Sequence, residues 1–164
     1  MALPSRVLPG FSVALYCQPG SNPTVLTNTQ LALVASTSAI AVSGNLLPVE
    51  AVPAFGQDDA MANFSVAGSR QSDKIPTQAA PTSMTITAAW NPSDTNLLLM
   101  RADAYSGTID RTFVISATDG SNVVYYAFNG RVGEFKIDAQ PGAEAKCVFT
   151  VHPRGNQYGW SNNA

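Results

Sequence analysis

The chain has 164 residues, of which 45% are hydrophobic and only 12% are charged, and its net charge is −2. A protein that grips nucleic-acid phosphates is basic, so this composition excludes that class of binding protein. The charged fraction is about half the usual value, which is typical of a protein that packs against neighbours or of one whose surface is wet but neutral. Because a chain of this length buries about 70% of its unfolded surface in one core, we predict a single domain, residues 1–164.

Cysteine usage and hydropathy indicate the compartment. Cys17 and Cys147 lie far apart, in alternating apolar stretches, and we predict two free buried thiols rather than a disulfide framework. The longest apolar run, residues 31–42, is too short and too rich in serine and threonine to span a bilayer. With no visible secretory signal, the sequence predicts a soluble cytosolic protein with no membrane partner.

The N-terminal half predicts short strands separated by irregular segments. Residues 1–10 hold two prolines and predict a terminal arm, and residues 11–17 alternate as a strand does. Residues 24–44 predict short strands, with a short helix near residues 30–34 as the alternative. Two prolines restrict residues 46–55 to an edge strand or a broken one. Residues 57–59 predict a turn, residues 60–66 a strand, and residues 68–81 a long polar loop of the kind that is usually functional or disordered.

A strand followed by a helix is the strongest local prediction. Residues 84–90 alternate between apolar and polar, and Asn91 and Pro92 then suit the N-cap and first position of a helix. Gly107 suits its end, so we predict a helix over about residues 91–105. The residues predicted to pack this helix and the core are Trp90, Leu97, Leu98, Phe113 and Phe149.

The C-terminal half predicts an antiparallel meander. Strands are predicted at residues 111–118, 123–128, 131–138 and 145–151, with turns at Asp119-Gly120, Asn129-Gly130 and residues 140–142. Residues 155–164 predict a loose tail. The fold class is therefore mainly β (α+β): an antiparallel β-sandwich or barrel with one flanking helix.

The residue pattern does not predict an enzyme. His152 is the only histidine, whereas zinc needs several ligands at close spacing. No P-loop, GxGxxG, GxSxG or HExxH is present, and the Asp58-Asp59 pair is more typical of a turn than of a cation site. We expect no catalytic residues, no cofactor and no metal.

The order of parts from residue 45 to residue 155 resembles a known family. The strand SMTITAAWNP runs into the helix SDTNLLLMRADAY, and RTFVISATDGS and YYAFNGRVGEFKIDAQPGAEAKCVFTVHPRG follow. This arrangement, with its Trp90-Asn91-Pro92 junction and closing Pro153-Arg154-Gly155, resembles the major tail tube protein of long-tailed, lambda-like bacteriophages (siphoviruses).

The resemblance implies a structural virion protein. Hexameric rings would self-assemble and stack into a hollow tail tube, through whose lumen DNA is ejected into the host without specific binding. The implied partners are further copies of the chain, a tape-measure protein, baseplate or tail-tip proteins and a tail terminator protein. The implied location is the virion tail, after assembly in the cytoplasm of the host bacterium.

The resemblance also assigns two sets of residues. A lumen that passes phosphates should be wet, small and neutral, and the candidate lumen-facing residues are Asn63, Ser65, Ser83, Thr85 and Thr87. Contacts between stacked rings are expected from extended segments without a core of their own. The candidates are Arg70, Gln71, Ser72, Asp73, Lys74, Ile75, Pro76 and Thr77.

Two alternatives remain open. The tube proteins of bacterial secretion and contractile injection systems share this fold and differ in what passes through them. A surface β-sandwich that binds carbohydrate would present exposed aromatic rings, for which Tyr125, Tyr126, Tyr158 and Trp160 are the candidates.

Overall fold

The computed structural model describes residues 12–65 and 72–163, so the predicted arm lies outside the described residues. The strands are β1 (Ser12–Cys17), β2 (Gln57–Ser65), β3 (Ser72–Pro81), β4 (Met84–Ala89), β5 (Asp110–Thr118), β6 (Val123–Asp138) and β7 (Lys146–Asn163). The helices are α1 (Asn28–Leu31), α2 (Val34–Ile40) and α3 (Thr95–Ser106), with a 3-10 turn at Ser43–Asn45. The predicted mainly β class is confirmed.

The strands form two antiparallel sheets. The main sheet has the order β1-β5-β6-β7-β4 and is curled into a half-barrel. The second sheet is the hairpin of β2 and β3 alone. Since β4 has six residues and β7 has 18, β4 covers only Lys146–Val151 of its neighbour.

One face of the main sheet, the core face, holds the hydrophobic core against α3. Leu97 and Met100 of the helix are fully buried and pack with Phe113, Phe128 and Phe149 of the sheet. The rings of Phe113 and Phe128 stack with centroids 5.7 Å apart. The helix therefore lies on the flank of the sheet, as the sequence predicts.

Four of the five predicted packing residues lie in this core and one does not. Trp90 is half-buried, and its ring meets Phe135 edge-on at 5.7 Å. Leu98 was expected inside, but its side chain is 40% exposed. The reason is helical phase: Leu97, Met100 and Asp103 define the inward side, and Leu98 stands about 100° around the helix from Leu97.

The opposite face of the main sheet is covered by helices over β1, β5 and β6. Leu31 of α1 and Ile40 of α2 bury against Val114 and Ala127. The expectation of short strands over residues 24–44 is therefore wrong. The signal for a helix was local: Thr27 and Gln30 form a capping box, in which each side chain bonds the other residue's backbone N–H.

Residues 46–50, which we call the closure segment, join the two edges of the main sheet. The N–H of Leu47 donates to the carbonyl of Leu15 in β1 at 2.9 Å, and the N–H of Glu50 donates to the carbonyl of Thr87 in β4 at 2.9 Å. As expected from its proline, this segment makes isolated bridges rather than a regular strand.

The start of α3 corrects the sequence prediction. Asn91 caps a turn instead of the helix, because its Oδ1 accepts from the N–H of Ser93 at 2.9 Å. Asp94 is the N-cap, and its Oδ1 accepts from the N–H groups of Asn96 (2.9 Å) and Leu97 (3.2 Å). Gly107 ends the helix with φ at 63°, as predicted.

The predicted turn at Asn129-Gly130 is wrong, because β6 runs straight through it. The Asn129 side chain accepts from Thr112 Oγ1 at 2.7 Å and donates to the carbonyl of Leu26 at 2.9 Å. A Cβ at Gly130 would lie 3.0 Å from the Val151 side chain. Gly130 therefore permits a close approach between strands, and Asn129 provides a half-buried amide; local turn statistics distinguish neither role from a turn.

The hairpin and the C-terminus correct three further expectations. Residues 57–59 begin β2 instead of a turn, and residues 72–81 form β3 instead of part of a loop. Proline is tolerated there because β3 is an edge strand, and Pro76 pairs with Met61 beside a register shift in β2. The expected loose tail is largely strand, because β6 continues far enough to pair Val123 with Asn163.

A buried ion pair links α3 to the sheet. Arg111 and Asp103 are 0% and 1% exposed, with Nε–Oδ2 at 2.6 Å and Nη2–Oδ1 at 3.0 Å. Nη1 of Arg111 also donates to the carbonyls of Gln18 and Gly20. Sequence reasoning missed this pair, although an arginine inside the apolar strand DRTFVIS was its signal.

Candidate lumen face and assembly edge

On the non-core side of the main sheet, the strands β4, β7 and β6 carry several exposed or half-buried side chains. This open face comprises the non-core side of β4, of β7 up to Arg154, and of the adjoining β6. Register pairing places Thr85 of β4 beside Thr150 of β7, and Thr87 beside Val148. Thr85 is exposed and Thr87 half-buried. The two predicted lumen threonines therefore lie together on one small, neutral surface.

Ser83 extends the same face, just before β4. Its hydroxyl lies 2.9 Å from Nδ1 of His152, and the imidazole passes over Gly133, where an added Cβ would come within 3.3 Å of Nε2. Glycine at this position thus makes room for the ring. Among the bonds of the described residues, no carboxylate contacts this serine–histidine pair.

Charged groups on the open face lie mostly in ion pairs along its border. Asp110 accepts from Arg131 Nε at 2.9 Å and from Arg154 Nη1 at 3.0 Å. Lys146 pairs with Glu50 of the closure segment, and this contact raises the pKa of the lysine. Lys136 is exposed beside Val148. The face therefore has a neutral strip along β4 and β7, and its cations lie at the ends and on β6.

The remaining lumen candidates lie elsewhere in the chain. Asn63 is exposed on β2, in the separate hairpin, and the Ser65 side chain lies outside the described residues. One copy of the chain thus does not bring the two candidate wall strands together.

The candidates for contacts between rings divide in the same way. Arg70 and Gln71 lie outside the described residues, while residues 72–77 belong to β3. In that strand Lys74 and Pro76 are exposed, and opposite them Met61 of β2 is 55% exposed. The hairpin backbone is ordered by its own pairing, but its described side chains face solvent.

The third feature is an unpaired strand edge. Beyond Val151, β7 pairs with β6 on one side, and no strand of the described chain pairs with its other side up to Asn163. Unpaired backbone N–H and C=O groups along such an edge accept an added strand readily. Sequence reasoning missed this edge because it expected a loose tail here.

Residues 12–65 and 72–163 contain neither a cluster of metal ligands nor a membrane-spanning helix. There, no three His, Cys, Asp or Glu side chains come close enough to hold a metal ion. In the same residues, no helix has the length and apolar content needed to cross a membrane. Cys17 and Cys147 are free and buried, as predicted.

Comparison with solved structures identifies the fold. The chain is similar to a chain of the sheath/tube terminator of an extracellular contractile injection system, PVC, in the extended state, with 12% identity, a TM-score of 0.63, and coverage of 99% of this chain and 100% of that one. It is similar to a chain of the anti-feeding prophage baseplate, with 9% identity, a TM-score of 0.61 and coverage of 97% and 98%.

A third similar structure is the SPP1 tail tube, with 10% identity, a TM-score of 0.55 and coverage of 91% of this chain and 76% of that one. No protein-family model matches the sequence, and no curated protein matches it. The chain therefore has the fold of subunits found in tail tubes and injection systems.

Proposed function

We propose that this chain is the major tail tube protein of a lambda-like siphovirus, a structural virion protein that forms stacked hexameric rings. The observation that carries the proposal is the coexistence, on one chain, of an unpaired strand edge on β7 and a β2–β3 hairpin that pairs with no other described strand. A two-stranded hairpin is marginally stable in water by itself. A contact between these two different surfaces is head-to-tail, and such contacts form rings when the rotation between neighbouring copies closes.

The fold supports one direction for the wall. The core face is occupied by α3, so we assign the open face to the shared channel. In this arrangement Ser83, Thr85 and Thr87 line the lumen and α3 lies on the outside. The wall is neutral along β4, and Asp110 partly offsets the charge of Arg131 and Arg154 at its border, so positive charge facing the phosphates is confined to that border and to Lys136.

Elementary geometry supports DNA as the cargo. Six copies that contribute four strands each give about 24 strands, and at about 4.8 Å spacing and about 40° tilt the backbone diameter is about 48 Å. Side chains remove about 5 Å on each side, which leaves about 38 Å for a duplex about 20 Å wide. The partners in this proposal are the tape-measure, baseplate or tail-tip and terminator proteins, with assembly in the host cytoplasm before incorporation into the virion.

A tube of a contractile injection system is the second candidate. It is favoured by the similarity to chains of the PVC and anti-feeding prophage assemblies. The carbohydrate-binding alternative has less support, because Tyr126 is 6% exposed and packs on Phe55 with ring centroids 4.9 Å apart.

Negative-stain microscopy of the purified full chain tests the proposal. We expect six-fold rings or tubes, and we expect Met61→Lys, which charges the hairpin, to raise the concentration needed for assembly about tenfold or more. The matched control is Tyr105→Lys, at a 76% exposed position on α3, which should assemble normally. A wild-type chain that stays monomeric at all concentrations and binds glycans would contradict the proposal.

Cysteine labelling tests which face lines the channel. Both native thiols are buried, so a single new cysteine reports its own position. A maleimide on a particle wider than the lumen should label Tyr105→Cys in intact tubes but label Thr85→Cys only in free subunits. Equal labelling of both variants in tubes would remove the open face from the lumen.

Protease digestion tests the role of the hairpin in stacking. We expect faster cleavage within residues 72–81 in free subunits than in tubes, because a two-stranded hairpin is marginally stable by itself and stacking would cover it. Equal cleavage in both states would count against contacts between rings at residues 70–77.

A further inference from the structure

Arg154 lies where the unpaired edge of β7 begins, and only part of its guanidinium is hydrogen-bonded to described residues of its own chain. It pairs with Asn129 of β6 on one side, and on the other side no described strand pairs with β7 beyond Val151. Its hydrogen bonds among the described residues come from Nη1 alone, at 3.0 and 3.2 Å to the Asp110 carboxylate. The Nε and Nη2 groups remain as donors on a side chain that is 54% exposed.

The surroundings of Arg154 carry an excess of positive charge. Asp110 is shared with Arg131, so one carboxylate faces two guanidinium groups. The free stretch of β7, residues 152–163, contains no acidic residue. Added strands place opposing side chains about 5 Å apart, so an acidic side chain on an incoming strand would complete the pairing of Arg154.

The chain itself contains a strand pair of the complementary charge. Over the described residues, β2 and β3 contain three aspartates (Asp58, Asp59 and Asp73) against a single lysine, Lys74. Their lengths of nine and 10 residues also suit the 12-residue free stretch of β7. A second copy therefore offers an occupant that matches the edge in both length and charge.

We infer that Arg154 selects the acidic β2–β3 hairpin of a second copy as the strand added to β7, and that the resulting ion pair fixes the register of that contact. The inference rests on the proposed function, because it specifies the contact that closes the ring. Its consequence is that assembly weakens as salt rises, since exposed charge pairs are screened.

Charge exchange in the full-length protein tests this contact. Sedimentation velocity gives the critical concentration for assembly from about 0.05 M to about 0.5 M NaCl. We expect Arg154→Glu to raise the critical concentration about tenfold at low salt and to flatten its salt dependence. The matched control is Arg101→Glu, an exposed arginine on α3, which should leave both quantities unchanged.

Second-site reversal makes the test specific. Each copy carries both surfaces, so Arg154→Glu combined with Asp58→Lys, Asp59→Lys or Asp73→Lys restores opposite charges at every contact. One of these three double variants should recover assembly to within about threefold of wild type. Unchanged assembly of Arg154→Glu, or recovery by none of the three, would overturn the inference while tube formation by wild type still stands. A monomeric wild type would overturn both.

Discussion

At the scale of single residues, Arg111 shows how a charge can be accommodated in a core. Its guanidinium is fully buried, bonded to both oxygens of Asp103 and to the carbonyls of Gln18 and Gly20. The planar guanidinium can make all of these hydrogen bonds at once, whereas a lysine ammonium could not. The pair therefore connects β5 to α3 and to the segment that follows β1.

Removal of the arginine leaves the Asp103 carboxylate buried without its partner. We expect Arg111→Ala to lower the free energy of unfolding by about 3–5 kcal/mol, measured by urea denaturation. The control, Arg101→Ala on the exposed side of α3, should cost less than about 0.5 kcal/mol. Similar losses for both variants would show that the buried pair contributes no more than a surface charge.

At the scale of elements, the start of α3 separates a turn residue from a capping residue. Asp94 accepts from two helix N–H groups, while Asn91 accepts from Ser93 outside the helix. We expect Asp94→Ala to cost about 1 kcal/mol of stability in thermal unfolding and Asn91→Ala to cost less. A larger loss for Asn91→Ala would restore the N-cap assignment that the sequence alone suggests.

The hairpin turn between β5 and β6 is stabilised by hydrogen bonds to a carboxylate. The Asp119 carboxylate accepts from the N–H groups of Ser121 (2.9 Å) and Asn122 (2.7 Å), and these bonds hold the pKa of Asp119 below its usual 3.8. Because the folded-state pKa is depressed, the stabilisation is present above about pH 4 and is lost as the pH falls through the lowered value.

The matching variant is Asp119→Asn, which has no charge to lose. We expect wild type to have the higher Tm at neutral pH and the difference to shrink below about pH 4. A difference in Tm that stays constant across this range would exclude the carboxylate charge as its cause.

Sequence reasoning predicted most elements whose signals are local. The alternation around Met84, the turn at Asp119-Gly120 and the helix stop at Gly107 are all present. It failed where the conformation of a segment depends on contacts with residues far away in the sequence. Gly130 is a point of close strand contact, and β3 is polar yet forms a strand because β2 pairs with it. Such pairing over long separations leaves no local trace.

The candidate site was predicted only in part, for the same reason. Ser83, Thr85 and Thr87 fall on one open surface because strand alternation is local. The free edge of β7 exists because β7 is much longer than β4. The sequence did not reveal this length, because it predicted a turn at Asn129-Gly130 and a loose C-terminal tail. The assignment of the site to a lumen or to an interface stays a prediction that the labelling and assembly experiments address.

At the scale of the whole molecule, the closure segment and the hairpin should differ in local stability. Leu47 and Glu50 donate to opposite edges of the main sheet, so exposing their amides requires the half-barrel to open. We expect these amides to exchange hydrogen only through global unfolding, and those of β2 and β3 to exchange faster in free subunits. Equal exchange rates for the two regions, measured by NMR, would contradict this difference.

Because β4 is much shorter than β7, each copy carries an unpaired edge, and this affects how copies assemble into a closed circle. An incomplete arc of any size keeps one exposed edge and one unattached hairpin, whereas the final copy satisfies two contacts at once and leaves neither. A partial arc thus leaves the same two surfaces unmet as a single chain does, and only the closed circle gains the additional contact. As the protein concentration rises, single chains should therefore convert directly into closed circles, and partial arcs should be almost absent.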